Sequence, residues 1–210
     1  MSAPYAACLI DVFGTALSVD FERYNAGIAE RAGVDAATFI DAVQLWAAGV
    51  MDGSTPIAEA LERTLRDCGA SPNRALIDEL VTLERALLHD LAVLHDDTLP
   101  FLELLREKGV RTAFVSNCSD NTGPLLEALG LTALVEELVL SCEVGSAKPS
   151  PGIYEVALER LDVFAEDALF VDDQQAYCEG AAALGIRAVR IDRAGWAGDV
   201  SLLTDLTEYF

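Results

Sequence analysis

The stretch Ala6-Ala7-Cys8-Leu9-Ile10-Asp11-Val12-Phe13-Gly14-Thr15 decides how the rest of the chain reads. A short apolar run stops at a carboxylate, and a glycine turn follows. Four later stretches repeat the theme. Thr112–Val115 runs into Ser116-Asn117, Leu138–Leu140 precedes Lys148, Leu169–Val171 runs into Asp172-Asp173, and Ala188–Ile191 runs into Asp192. Between these β-type runs lie helical stretches near 98–108, 121–129, 150–161 and 175–184. Several close at Gly109, Gly130 or Gly185, residues suited to the left-handed turn that ends a helix. Strands alternating with helices predict a Rossmann-like α/β core, a parallel sheet sandwiched by helices.

Residues from about 20 to 93 break the alternation and read as helices only. Ser54-Thr55-Pro56 and Ser71-Pro72 are helix starts, the first with a hydroxyl cap. Phe39, Val43, Trp46 and Val50 form one apolar stripe; Ile77, Leu80, Val81, Leu87, Leu88 and Leu91 form another. The expected organisation is a core of residues 1–17 and 96–210, with an all-helical module, 18–95, inserted after the first strand.

A length of 210 residues suits one domain with such an insertion. Lys+Arg total 14 and Asp+Glu 35, a formal charge of −21, while 52% of residues are hydrophobic. Such a chain folds, but its surface repels polyanions, so neither nucleic acid nor an anionic membrane is expected as a partner. A small anionic substrate needs a local cation to reverse the field. No apolar run has the length of a membrane span, and Met1-Ser2-Ala3-Pro4-Tyr5 lacks the positive charge of a signal peptide. Cys8, Cys68, Cys118, Cys142 and Cys178 are scattered, with no C-x-x-C pair. They read as reduced thiols of a cytoplasmic protein. No pattern in the sequence specifies an oligomeric state.

Ligands of open α/β sheets bind beyond the carboxyl ends of the strands. The residues there are Asp11, Ser116, Asn117, Asp172 and Asp173, with Lys148 on a nearby loop. Each alone is an ordinary turn former or solvated residue. Together they place carboxylates, a hydroxyl and an ammonium at one sheet edge. Three aspartates against one lysine leave a net −2, self-repelling if buried, which one divalent cation neutralises. Mg²⁺, a hard ion needing few carboxylates, suits Asp11, Asp172 and Asp173.

These residues resemble the haloacid dehalogenase superfamily of hydrolases in four ordered motifs. They are Asp11-Val12-Phe13-Gly14-Thr15, then Ser116-Asn117, then Lys148-Pro149, then Phe170-Val171-Asp172-Asp173 with Glu179-Gly180-Ala181 and Leu184-Gly185. The helical insertion resembles that family's small cap. The resemblance implies covalent catalysis with Asp11 as nucleophile. It implies that Ser116 hydrogen-bonds the phosphoryl group or the nucleophile, that Asn117 assists, and that Lys148 orients Asp11. Mg²⁺ would be held by Asp11, Asp173 and the backbone carbonyl of Phe13, with Asp172 close by. Phe13, Gly14 and Thr15 would border the substrate.

Two positions depart from the family pattern. Phe13 stands where its phosphatases carry a second Asp, the general acid, as an aromatic does in the dehalogenase branch. Tyr177 stands where many members carry Asp or Asn. Asp172-Asp173, conversely, resembles the Mg²⁺-dependent branches. Three readings follow, in this order: a Mg²⁺-dependent phosphatase of a small phosphorylated metabolite with a good leaving group; a metal-independent 2-haloacid dehalogenase, with Arg23 or Arg31 as candidate carboxylate anchors; and a catalytically weak member that binds a ligand or partner. Residues 14–20 and 92–97, including His95-Asp96-Asp97, are expected hinges of a closing cap. Trp46 and Trp196 are expected in core or interface, Met51-Asp52-Gly53 in an inter-helix turn, and Cys118 in loop packing.

Overall fold

The computed structural model describes residues 5–210. The reading of Met1–Pro4 lies outside the described residues. Five parallel strands form the central sheet: β1 (Ala7–Ile10), β4 (Arg111–Ser116), β5 (Glu137–Leu140), β6 (Ala168–Asp172) and β7 (Arg187–Arg190), ordered β5-β4-β1-β6-β7. β1 pairs with β4 on one side and β6 on the other, so the strand ending at Asp11 is central.

The apolar runs work because both faces are covered. Cys8 and Ile10 face one core with Phe101 and Leu105 of α6 (Thr98–Glu107) and Leu125 of α7 (Thr122–Ala128). Ala7 and Leu9 face the other, with Ile153 and Ala157 of α9 (Pro151–Leu161) and Ala181 of α10 (Gln175–Ala182). Alternate residues of one apolar run thus serve opposite layers. Gly109, Gly130 and Gly185 all take positive φ at their helix ends.

Five helices stand between the first core strand and α6: α1 (Phe21–Ala32), α2 (Ala36–Val43), α3 (Ala47–Met51), α4 (Ile57–Asp67) and α5 (Arg74–Leu91). They enclose a cluster of their own around Phe39, Leu65 and Leu80. The chain enters and leaves this insertion on an antiparallel ribbon, β2 (Leu17–Val19) against β3 (Ala92–Leu94), where helices alone were expected. Three-residue strands are too short to show a period of two.

Local details also differ from the sequence reading. Asn73, not Ser71, caps α5, accepting from the backbone N–H of Leu76 at 2.9 Å. No side-chain cap precedes α4, because its N-cap residue is Pro56, which has no side-chain acceptor; Ser54 donates instead to the Gly49 carbonyl. The stripe through Phe39, Val43, Trp46 and Val50 is split by the break between α2 and α3. The Met51-Asp52-Gly53 turn lies against the core: a Cβ on Gly53 would fall 2.0 Å from the carbonyl oxygen of Cys142, on α8 (Ser141–Val144). The segments expected to act as hinges are held by contacts as well. Arg193 donates to the carbonyl of Thr15 at 3.1 Å and to Asp97 at 2.8 Å, while Thr98 donates to the carbonyl of Ala16. Trp196 lies outside the core clusters, 88% exposed. Among the described residues no helix is long and apolar enough to cross a membrane.

Candidate active site

The carboxyl ends of β1, β4 and β6 meet where strand order reverses, and the chemistry collects there. Asp11 leaves β1 with its backbone N–H on the Val171 carbonyl of β6 at 3.0 Å. Lys148 comes in from the loop before α9, fully enclosed. Its Nζ donates to Asp11 Oδ1 at 2.5 Å, to Asp172 Oδ2 at 2.6 Å and to the Val115 carbonyl at 2.9 Å, which uses all three of its protons. The rings of Tyr177 and Phe170 flank the ammonium at 5.2 and 5.5 Å. Tyr177, the departure in the fourth motif, is therefore a wall of the lysine pocket.

One ammonium between several buried carboxylates leaves excess negative charge. Burial, and then the field of Asp11, pushes Asp172 up to about 7 even against Lys148. Burial and Asp11 raise Asp173 likewise. Burial opposes the Lys148 ammonium, yet Asp11 and Asp172 together hold its pKa above the ordinary lysine value.

Asp11, Asp172 and Asp173 each offer an oxygen within 4.8 Å of the others. Their oxygens are not equally free. Asp172 is committed to Lys148 and to the backbone N–H of Gln174, at 2.8 Å. Asp173 accepts from the Gln174 side chain on Oδ2 alone. Asp11 Oδ2 is buried with no partner. Buried polar groups normally find partners, so an orphan carboxylate oxygen beside two more carboxylates fits a hard divalent cation. Gly14 permits this convergence. It takes φ +90°, and a Cβ there would lie 2.7 Å from the Asp173 carboxyl carbon.

Ser116 and Thr15 also present buried hydroxyls without partners. Asn117 does something the sequence did not reveal. Its amide donates to the Lys148 carbonyl at 2.8 Å and accepts from the Lys148 N–H at 2.7 Å, clamping that peptide. Phe13 packs edge-on against Phe21 at 5.8 Å and forms one wall of a cavity between core and insertion.

That cavity, about 220 Å³, is mostly apolar, with Phe13, Tyr24, Trp46, Met51 and Leu88 among its walls. Trp46, expected in core or interface, faces the cavity, and so does Met51 at the expected inter-helix turn. Asn117, Asn121 and Glu84 supply polar groups, and Cys118 borders it under the hydroxyl of Ser141. Among the described residues no lysine or arginine lines it. Arg31 is paired with Glu79 on the surface and Arg23 is exposed, so neither candidate anchor reaches the cavity. Glu84 was missed by sequence reasoning. Its signal was position: 77, 80, 84, 88 and 91 share one helical face, and Glu84 is the only charged residue among them.

A family model described as haloacid dehalogenase-like hydrolase matches residues 5–185. The chain is 33% identical over 146 residues to Phosphatase MT3486 of Mycobacterium tuberculosis, an alignment spanning 69% of this chain and 65% of that protein. It is 26% identical over 204 residues to (S)-2-haloacid dehalogenase 1 of a Pseudomonas species, spanning 90% and 86%. Its fold matches that of the HAD family enzyme bt-2542 of Bacteroides thetaiotaomicron, in complex with magnesium and inorganic phosphate. The TM-score is 0.70 at 22% identity, over 92% of this chain and 96% of that one.

Proposed function

The chain belongs to the haloacid dehalogenase-like hydrolases, and from that premise we propose that it is a Mg²⁺-dependent phosphatase of a small phosphorylated metabolite. The observation carrying this is the unpartnered Asp11 Oδ2 beside Asp172 and Asp173, a cluster with surplus negative charge. The cavity adds a second argument. A haloacid's carboxylate needs a cation, and among the described residues no lysine or arginine lines this cavity. The mycobacterial relative is named for phosphatase activity, in keeping with this reading.

In this proposal Asp11 attacks phosphorus. The P–O bond to the leaving group breaks, its electron pair departs with that oxygen, and an aspartyl phosphate forms. Water then attacks phosphorus, releasing phosphate and restoring Asp11. Lys148 holds Asp11 in position and lowers the barrier to an approaching anion. Ser116 donates its free hydroxyl to a phosphoryl oxygen, and Thr15 and Gly14 shape the turn carrying the nucleophile. Asn117 acts through Lys148. Asp11, Asp173 and the Phe13 carbonyl would hold Mg²⁺, with Asp172 beside them; when bound, the ion neutralises charge at the phosphoryl group.

Phe13 cannot supply a proton, a contribution worth ~10²–10⁴-fold in rate where it is present. The leaving group is therefore a weak base, such as an acyl or aryl oxygen. Phe13 also favours the second reading, a metal-independent 2-haloacid dehalogenase, since halide leaves unprotonated. Five free cysteines fit a reducing compartment, and cytoplasmic residence is part of the proposal.

The test is hydrolysis of para-nitrophenyl phosphate, acetyl phosphate and 2-chloropropionate, each with Mg²⁺ or EDTA. Mg²⁺-dependent phosphate release is expected. EDTA-resistant chloride release would replace this reading with the second, and silence on all three by folded protein would favour a ligand-binding role.

A further inference from the structure

Glu84 sits where a carboxylate is costly. It lies on the inward face of α5, 1% exposed, at the wall of the cavity that also contains Phe13 and Asn117. One oxygen accepts from the side-chain amide of Asn121, whose own oxygen accepts from Ser119 at 2.7 Å. The other, Oε2, is buried with no partner. The Tyr24 hydroxyl lies beside the carboxylate and, with Asn121, opposes the rise in its pKa. Arg85, whose charge acts on it, is exposed and forms no ion pair with it among the described residues. Burial accordingly raises Glu84 to about 7. Packing alone is better served by an apolar residue here, as at 77, 80 and 88 on the same face.

We propose that Glu84 selects the organic portion of the substrate, accepting a hydrogen bond on Oε2 from an amine at the far end of an apolar, ring-sized leaving group. The proposal rests on the phosphatase reading above and names its substrate class: phosphate esters of amine-bearing phenols, whose aryl oxygen is the weakly basic leaving group that Phe13 requires. The volume is adequate, since a dry cavity of about 150 Å³ already takes a benzene ring. The charges agree as well. A cavity with no lysine or arginine among the described residues that line it, in a chain of net charge −21, favours a cationic end over an anionic one. An unfilled carboxylate oxygen discriminates strongly, because the wrong ligand leaves it unpaired.

The test compares kcat/KM for 4-(aminomethyl)phenyl, phenyl and 4-carboxyphenyl phosphates in the wild type and Glu84→Gln. The amine is expected to exceed the carboxylate by about 10- to 100-fold, one charge-assisted hydrogen bond. Glu84→Gln, which turns the free acceptor into a donor, should collapse that ratio to within about threefold. Calorimetry of 4-(aminomethyl)phenol against 4-hydroxybenzoate on the wild-type protein needs neither turnover nor a folded variant, and tighter binding of the amine is expected. Equal or tighter binding of 4-hydroxybenzoate, or an unchanged ratio in Glu84→Gln, would overturn the proposal. Acetyl phosphate carries no such group. Failure of the wild type to hydrolyse it with Mg²⁺ would strike the phosphatase reading, leaving calorimetry to judge Glu84 separately.

Discussion

Asn117 holds Lys148 by its backbone, donating to its carbonyl at 2.8 Å and accepting from its N–H at 2.7 Å. The ammonium 2.5 Å from Asp11 is thereby fixed from behind. Asn117→Ala removes both bonds and leaves two part-buried groups unpaired, a loss of about 1–3 kcal/mol in stability. The expected kinetic signature is a fall in kcat larger than the rise in KM, because in the proposed mechanism Lys148 acts on Asp11 as nucleophile. Denaturant unfolding and steady-state kinetics on one preparation check both.

Ser116 should behave oppositely. Its hydroxyl is buried without a partner, so Ser116→Ala breaks no bond present in the structure. Removing a buried hydroxyl that has no partner strands no other group, so stability should not fall. Activity on acetyl phosphate should fall about 10- to 100-fold, one hydrogen bond to a charged oxygen. A large stability loss with unchanged kinetics would make Ser116 a packing residue.

Gly14→Ala tests the approach of the loop to Asp173. The substitution meets a φ of +90° and a carboxylate 2.7 Å away. Positive φ alone costs about 1–2 kcal/mol, and displacement of Asp173 should weaken Mg²⁺. A higher Mg²⁺ concentration for half-maximal activity, with weaker binding by calorimetry, is expected.

Stability should depend on pH in a stated direction. Asp172 rises from 3.8 to about 7 and Glu84 from 4.5 to about 7 on folding. Between roughly pH 4 and 7 the folded chain therefore binds protons that the unfolded chain has released, and stability falls as pH rises. Without Mg²⁺, Tm at pH 5 should exceed Tm at pH 8. Asp172→Asn should flatten the slope, and Mg²⁺ should raise Tm more at pH 8, where the carboxylates are ionised. Thermal scans at the two pH values, with and without Mg²⁺, check this.

Much of the frame was legible because it is written locally. An apolar run that stops at Asp11, Ser116 or Asp172 marks a buried strand and its ligand-facing end together. The clamp of Asn117 on Lys148 was not legible, since it joins backbone and side chain 31 residues apart. Nor was the cavity, which exists only once the helices of the insertion settle against β1 and β4 loops. Glu84 lay between: its place on an apolar face was visible, its unpaired oxygen was not. The β2–β3 ribbon escaped because six residues in two pieces carry no periodic signal.

The most direct measurement of the central claim is capture of the covalent intermediate. Protein mixed with ³²P-acetyl phosphate and Mg²⁺, quenched in acid within milliseconds, should carry label on the peptide containing Asp11. The label should be absent with EDTA and in Asp11→Asn. Label on another residue, turnover retained by Asp11→Asn, or a metal-independent ester of Asp11 formed from 2-chloropropionate instead, would contradict the account.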